Sequence, residues 1–221
     1  MRRLSVRVLL LLLAPAARAT PWGAFLAAAG VGVAIVALPA ATTAALTAED
    51  LVDLLRAAAV CGALGTGFLL DDPAARSIAT VPTSRPVRYA ARAGVILPAM
   101  AAWWALVLGV TVAGAEAGIG AALPLVGVTA EAAALTAVAL MVAAARLRGQ
   151  RESGGVAAFP VLLVLVMAAN LLPQRLTLFV APGGTEWTAA HGRWAVLLSV
   201  AVAGSLWASH EPVSPPHMRL R

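Results

Sequence analysis

Six stretches of this sequence are apolar over the length needed to cross a lipid bilayer, and that constrains the fold more than any motif does. They lie at about 22–46, 50–70, 93–115, 121–145, 156–172 and 194–209. A helix rises about 1.5 Å per residue, so about 20 apolar residues cross a hydrocarbon core about 30 Å thick. Only 12% of the residues are charged, against about 25% in an ordinary soluble domain. The expectation is an all-α integral membrane protein. All of 1–221 forms one transmembrane domain, with six transmembrane helices preceded by an N-terminal elbow helix over about 1–20. Its spans are rich in Ala and Gly, small residues that let helix backbones approach closely in lipid, so the bundle should be compact.

The first twenty residues allow two readings. Arg2, Arg3 and Arg7 precede the apolar run Val8 to Leu13, and Ala17-Arg18-Ala19 follows as an A-x-A-like site. This suits a cleaved secretory signal or an uncleaved interfacial elbow. Topology separates them. With the N-terminus inside, the cytoplasmic side receives Arg2, Arg3, Arg7, Arg18, Arg76, Arg85, Arg88, Arg92, Arg146, Arg148, Arg151, Arg219 and Arg221. That is thirteen of the sixteen arginines, as the positive-inside rule requires. Arg175 and Arg193 fall outside, and Arg56 lies in the second span near its outer end. Cleavage with an outside start would turn most of these arginines the wrong way. The expected protein is therefore uncleaved, in the cell membrane, with both termini cytoplasmic. The net charge of +6 follows from this topology, and no nucleic-acid partner is inferred from it.

Local signals mark the element ends. Pro21 and Trp22 open the first span, and Thr47 with Asp50 fits a capping box for the second. Pro173 closes the fifth. Gln174 to Gly192 reads as a long loop broken by Pro182-Gly183-Gly184.

The longest polar interruption is Asp71 to Arg92. Asp72 is a good N-cap, Pro73 suits the first helical position, and Asp71 and Asp72 favour the positive end of a helix dipole. A short helix over about 73–80 is expected, stopped by Val81-Pro82. Pro86 then starts another helix that runs through Arg88 and Arg92 into the third span. A short helix standing between two spans suits a cleft on a soluble partner. The alternative is a capped loop whose arginines hold anionic lipid headgroups.

The segment Gly67-Phe-Leu-Leu-Asp-Asp-Pro-Ala-Ala-Arg76, followed by Thr80-Val-Pro-Thr83 and a basic run into a span, resembles membrane subunits of actinobacterial ABC transporters of the type-2 exporter (permease) class. The resemblance implies an elbow helix, six spans, a cytosolic coupling helix between spans two and three, and a larger external segment between spans five and six. It implies that Asp71, Asp72, Pro73, Arg76, Ser77 and Thr80 dock a separate ABC ATPase, and that the external loop from Arg175 to Gly184 gates the pathway, with an ordinary anchored loop as the alternative. It also implies a homodimer or a heterodimer with a second permease. No G-x-x-x-x-G-K-[ST] loop occurs in these residues, so ATP and Mg are expected on a separate subunit and no cofactor on this chain.

Within the spans, Glu131 stands out: a carboxylate near mid-bilayer is costly unless paired, protonated or facing water. It is either part of a polar pathway or proton site, or a protonated Glu bonded to a neighbouring helix. Arg56 is a candidate partner but lies nearer the outer surface, and Asp53, three residues before it, is its simpler partner. Trp103 and Trp104 are candidate pathway residues, one indole packing between helices and the other meeting lipid or a cavity. Asn170 reads as interhelical glue, with a pathway role as the alternative. Trp22, Trp187 and Trp194 read as interfacial belt residues. His191, His210 and His217 lack ligand spacing, and Cys61 is the single cysteine, so no metal site is assigned.

The function expected is that of a permease subunit of an ATP-driven transporter, exporting a drug-like, peptide or lipid cargo, and not an enzyme. A non-transporting scaffold is the alternative. A membrane-embedded lipid-modifying enzyme would need a second acidic cluster beside Asp71-Asp72, and none is seen.

Overall fold

The computed structural model describes residues 6–42, 46–71, 85–116, 118–148, 154–173 and 176–210. These form eight helices: α1 (Val6–Ala19), α2 (Trp22–Ala40), α3 (Ala48–Leu69), α4 (Arg85–Gly114), α5 (Ile119–Ala122), α6 (Leu125–Arg148), α7 (Gly154–Leu171) and α8 (Trp187–Ser209). Six of them, α2, α3, α4, α6, α7 and α8, are long and apolar enough to cross a membrane, which suggests a membrane protein.

Capping chemistry explains several boundaries. The Thr47–Asp50 capping box forms as expected: Asp50 N donates to the Thr47 hydroxyl, and Thr47 N donates to the Asp50 carboxylate at 2.9 Å. Between α1 and α2, Thr20 Oγ1 donates to Ala16 O and Trp22 Nε1 to Ala17 O, both at 2.8 Å. Trp22 thus spends its indole N–H on the bend between the two helices. The α2 helix stops at Ala40 rather than near residue 46. There the Thr42 N–H and hydroxyl both donate to Pro39 O and close the last turn.

The helix expected from Pro86 does run through Arg88 and Arg92 into the third span, so α4 has 30 residues, about 45 Å of helix. Two further boundaries differ from the sequence reading. The expected start of the fourth span at 121 is a separate single turn, α5; Leu123 then turns extended and α6 begins after Pro124. The sixth span starts at Trp187, not 194. Gly192, read as loop, sits inside α8, where a glycine costs only about 1 kcal/mol.

The core of the bundle is the α3–α6 pair. The α6 helix packs on α8, α3 and α7, while α3 also packs on α2, α4 and α7. Outward faces of α2, α7 and α8 carry exposed apolar side chains such as Leu38, Val164, Leu171 and Val196. Small residues set the spacing. Trp103 lies in a slot between α2 and α3, its Nε1 donating to Ala29 O at 3.0 Å. A Cβ at Gly32 or Gly62 would collide with that indole.

Candidate functional site

Two polar clusters lie at opposite ends of the bundle. At the end where α3, α6 and α8 begin, Arg56 and Glu131 form a bidentate pair. Arg56 Nε donates to Glu131 Oε2 at 2.9 Å and Nη2 to Oε1 at 3.1 Å. The Glu131 side chain is 1% exposed and that of Arg56 10%. Two N–H donors on one carboxylate is the geometry of a charged pair. Glu131 therefore has a partner on another helix, and Arg56 reaches it while also keeping Asp53, at 3.2 Å through Nη1. Arg56 and Glu131 meet because α6 begins at 125. Glu131 stands about 9 Å along that helix, near its beginning rather than at mid-span, at the level of Arg56 on α3.

The segment between α7 and α8 folds over this pair. Arg56 Nη2 also donates to Val180 O at 2.7 Å, and the Phe179 ring lies 5.2 Å from Arg56 Cζ. Trp194 Nε1 donates to Leu178 O at 2.9 Å, and Arg193 donates to Thr177 O and to the Glu186 carboxylate. The belt reading of Trp194 is corrected by its burial: it is fully enclosed, its ring 5.4 Å from that of Phe179. His191 completes the cluster, with Nε2 3.5 Å from Glu131 Oε1 and its ring 4.3 Å from that of Trp187. The sequence reading missed His191 because it placed residue 191 in a loop; extending the helical period back to 187 would have put it on the face of Trp194.

At the other end, Asp71 follows α3 and its carboxylate accepts from the Gly154 N–H at 2.6 Å and the Gly155 N–H at 3.2 Å, at the start of α7. Arg92 Nη1 on α4 donates to Leu70 O and Asp71 O at 2.7 and 3.0 Å. Asp71 thus joins three helices. Burial pushes its carboxyl above the ordinary carboxylate range, and the Gly155 and Gly154 N–H groups and the Arg92 charge pull in the other direction. Close approach makes the joint: a Cβ on Gly155 would strike the ring and Cα of Phe68. The other candidate docking residues, Asp72, Pro73, Arg76, Ser77 and Thr80, and the helix expected over 73–80, lie outside the described residues.

The remaining candidates do not gather into one site. Trp103 and Trp104 are both buried, and Trp104 Nε1 donates to Thr129 Oγ1 at 3.1 Å, so neither indole meets lipid. Asn170 is exposed and donates to Val166 O of its own helix at 2.7 Å, rather than bridging helices. The clusters contain charges, carbonyls and indoles that hold helices together. Compared with known proteins, the chain matches no family model, no curated protein and no solved structure.

Proposed function

We propose that this chain is the transmembrane permease subunit of an ATP-driven transporter. It would work with a separate ABC ATPase that holds the ATP and Mg, and as a homodimer or with a second permease, in the cell membrane. The Asp71 end is the cytoplasmic one, since Arg88, Arg92, Arg146 and Arg148 lie there and the arginine distribution turns that side inward. The cargo class is drug-like, peptide or lipid, and the direction is outward.

One observation supports this reading above the rest. The polar segment that follows α3 starts from a joint shared by α3, α4 and α7, through Asp71, Arg92, Gly154 and Gly155. A load applied to residues 72–84 by a partner would reach three spans at once. Rigid-body rocking of packed helices is a known way to convert such a load into opening.

A second reading, a non-transporting membrane scaffold, is favoured by Glu131. Its carboxylate is sealed within the bundle and paired, rather than facing a polar cleft. Affinity purification through this chain, followed by ATPase assay in nanodiscs with a catalytically dead partner as control, decides between the two. The transport reading expects a co-purifying ATPase that is lost with Asp72→Arg while the spans stay folded. A chain that comes down without an ATPase, or an Asp72→Arg variant that keeps full coupled activity, supports the scaffold.

A further inference from the structure

The ring of His191 is held so that its two nitrogens face different partners. Nδ1 lies 2.9 Å from Trp187 O. A carbonyl only accepts, so Nδ1 carries a hydrogen. Nε2 is buried and has no hydrogen-bond partner among the described residues; the nearest charged atom is Glu131 Oε1 at 3.5 Å. With the hydrogen on Nδ1, a neutral ring would present the Nε2 lone pair to a carboxylate oxygen. Two acceptors would then face each other in a buried place. A second proton makes the ring positive and turns this 3.5 Å contact into an ion pair with that carboxylate.

Several charged groups surround the ring. From α3, Arg56 and Asp53 face the cluster; from α6, Glu131; from α8, His191 itself. The neighbouring Arg193 and Glu186 pair with each other. Arg56 is shared by two carboxylates, and a positive His191 balances them. The α6 helix leaves room at this spot: a Cβ on Gly127 would land on Nε2, and Trp187 covers the other side.

We propose that His191 is a proton-binding site, doubly protonated in the assembled bundle, and that the Nε2 proton fastens the first turns of α8 to Glu131 on α6. Loss of that proton sets two acceptors against each other and releases the ring. It loosens the contact at the groove formed by Leu123, Pro124, Gly127, Trp187, Thr188 and His191. This end of the bundle is then proton-responsive whether or not the chain transports anything.

The test uses the full chain in nanodiscs with 15N-labelled histidine, His191→Gln serving to assign the His191 signals. At pH 6 the expected result is N–H resonances for both ring nitrogens of His191. As pH rises, the Nε2 proton is lost first, and backbone amides of 187–193 exchange faster with solvent over the same interval. The proposal is overturned if Nε2 is unprotonated at pH 6 while Nδ1 keeps its hydrogen. It is equally overturned if the Nε2 proton leaves without any change in amide exchange over 187–193.

Discussion

The Arg56 guanidinium holds the Glu131 carboxylate through two N–H donors, at 2.9 and 3.1 Å, across a gap of 75 residues in sequence. A third contact from the same guanidinium, Nη2 to Val180 O, carries the link to the segment over the bundle end. One side chain therefore connects α3, α6 and the α7–α8 connection. The desolvation of two buried charges offsets much of their attraction, so the pair specifies which helices meet more than it stabilises them.

Removing one partner should be far worse than removing both. Glu131→Leu leaves the buried Arg56 with only the exposed Asp53 as a charge partner, at a cost of up to about 3–5 kcal/mol. Arg56→Met should cost a similar amount. The double variant replaces the pair with apolar volume and should recover most of the loss. Denaturant unfolding of all four proteins in one detergent gives the cycle. Strict additivity of the two single losses would show that the pair does not act as a unit.

The tryptophan slot makes a separate prediction. Gly62→Ala places a methyl against the Trp103 ring and the Met100 Cε, and the neighbours are helix-bound. Overpacking of this kind costs about 1–3 kcal/mol. Gly30→Ala, where a Cβ meets nothing within 4 Å, is the control and should be neutral or slightly stabilising. Thermal unfolding of the two variants side by side checks the contrast.

The six helices apolar and long enough to span, and most of their extents, were legible because hydropathy is a sum over about twenty residues and tolerates local exceptions. The Thr47–Asp50 cap was legible because all its parts sit within four residues. The starts of α6 and α8 were not. Leu123-Pro124 is an interruption of two residues in an apolar run, and Gly192 resembles a loop residue although the helix continues through it. Those two errors hid the principal cluster. With α6 begun at 121, Glu131 falls near mid-span and away from Arg56; with α8 begun at 194, His191 and Arg193 have no helix face. The Asp71 joint was hidden for another reason. Its partners are backbone N–H groups of Gly154 and Gly155, and a sequence shows no pattern for a carboxylate capping a helix more than eighty residues away.

Asp71 carries a pH prediction whose sign follows from burial. Its folded-state carboxyl titrates above the ordinary value of 3.8, burial being the largest cause. The fold therefore favours the protonated form. The contribution from this group is fully present below about pH 4 and is lost as pH rises through the raised folded value. Asp71→Asn has no such titration. The stability of the natural chain relative to Asp71→Asn should thus decline across that window, measured by unfolding at a series of pH values. A difference that grows with pH would mean that the Gly154 and Gly155 N–H groups outweigh burial.

The segment over the Arg56–Glu131 pair is held by its own backbone carbonyls. Thr177 O accepts from Arg193, Leu178 O from Trp194 and Val180 O from Arg56. These donors come from two different helices, so no single helix motion can release all three. Trp194→Phe keeps a ring in the buried site but strips Leu178 O of its donor, which should cost about 1–3 kcal/mol. Arg56→Met strips Val180 O two residues further on. Because both variants loosen the same short segment, their effects should not add: a coupling of about 0.5–3 kcal/mol is expected. Limited proteolysis reads the segment directly, with cleavage within 176–186 rising in each single variant and little further in the double. Independent, multiplicative increases in cleavage would show that the two donors hold the segment separately, and that it does not behave as one lid over the pair.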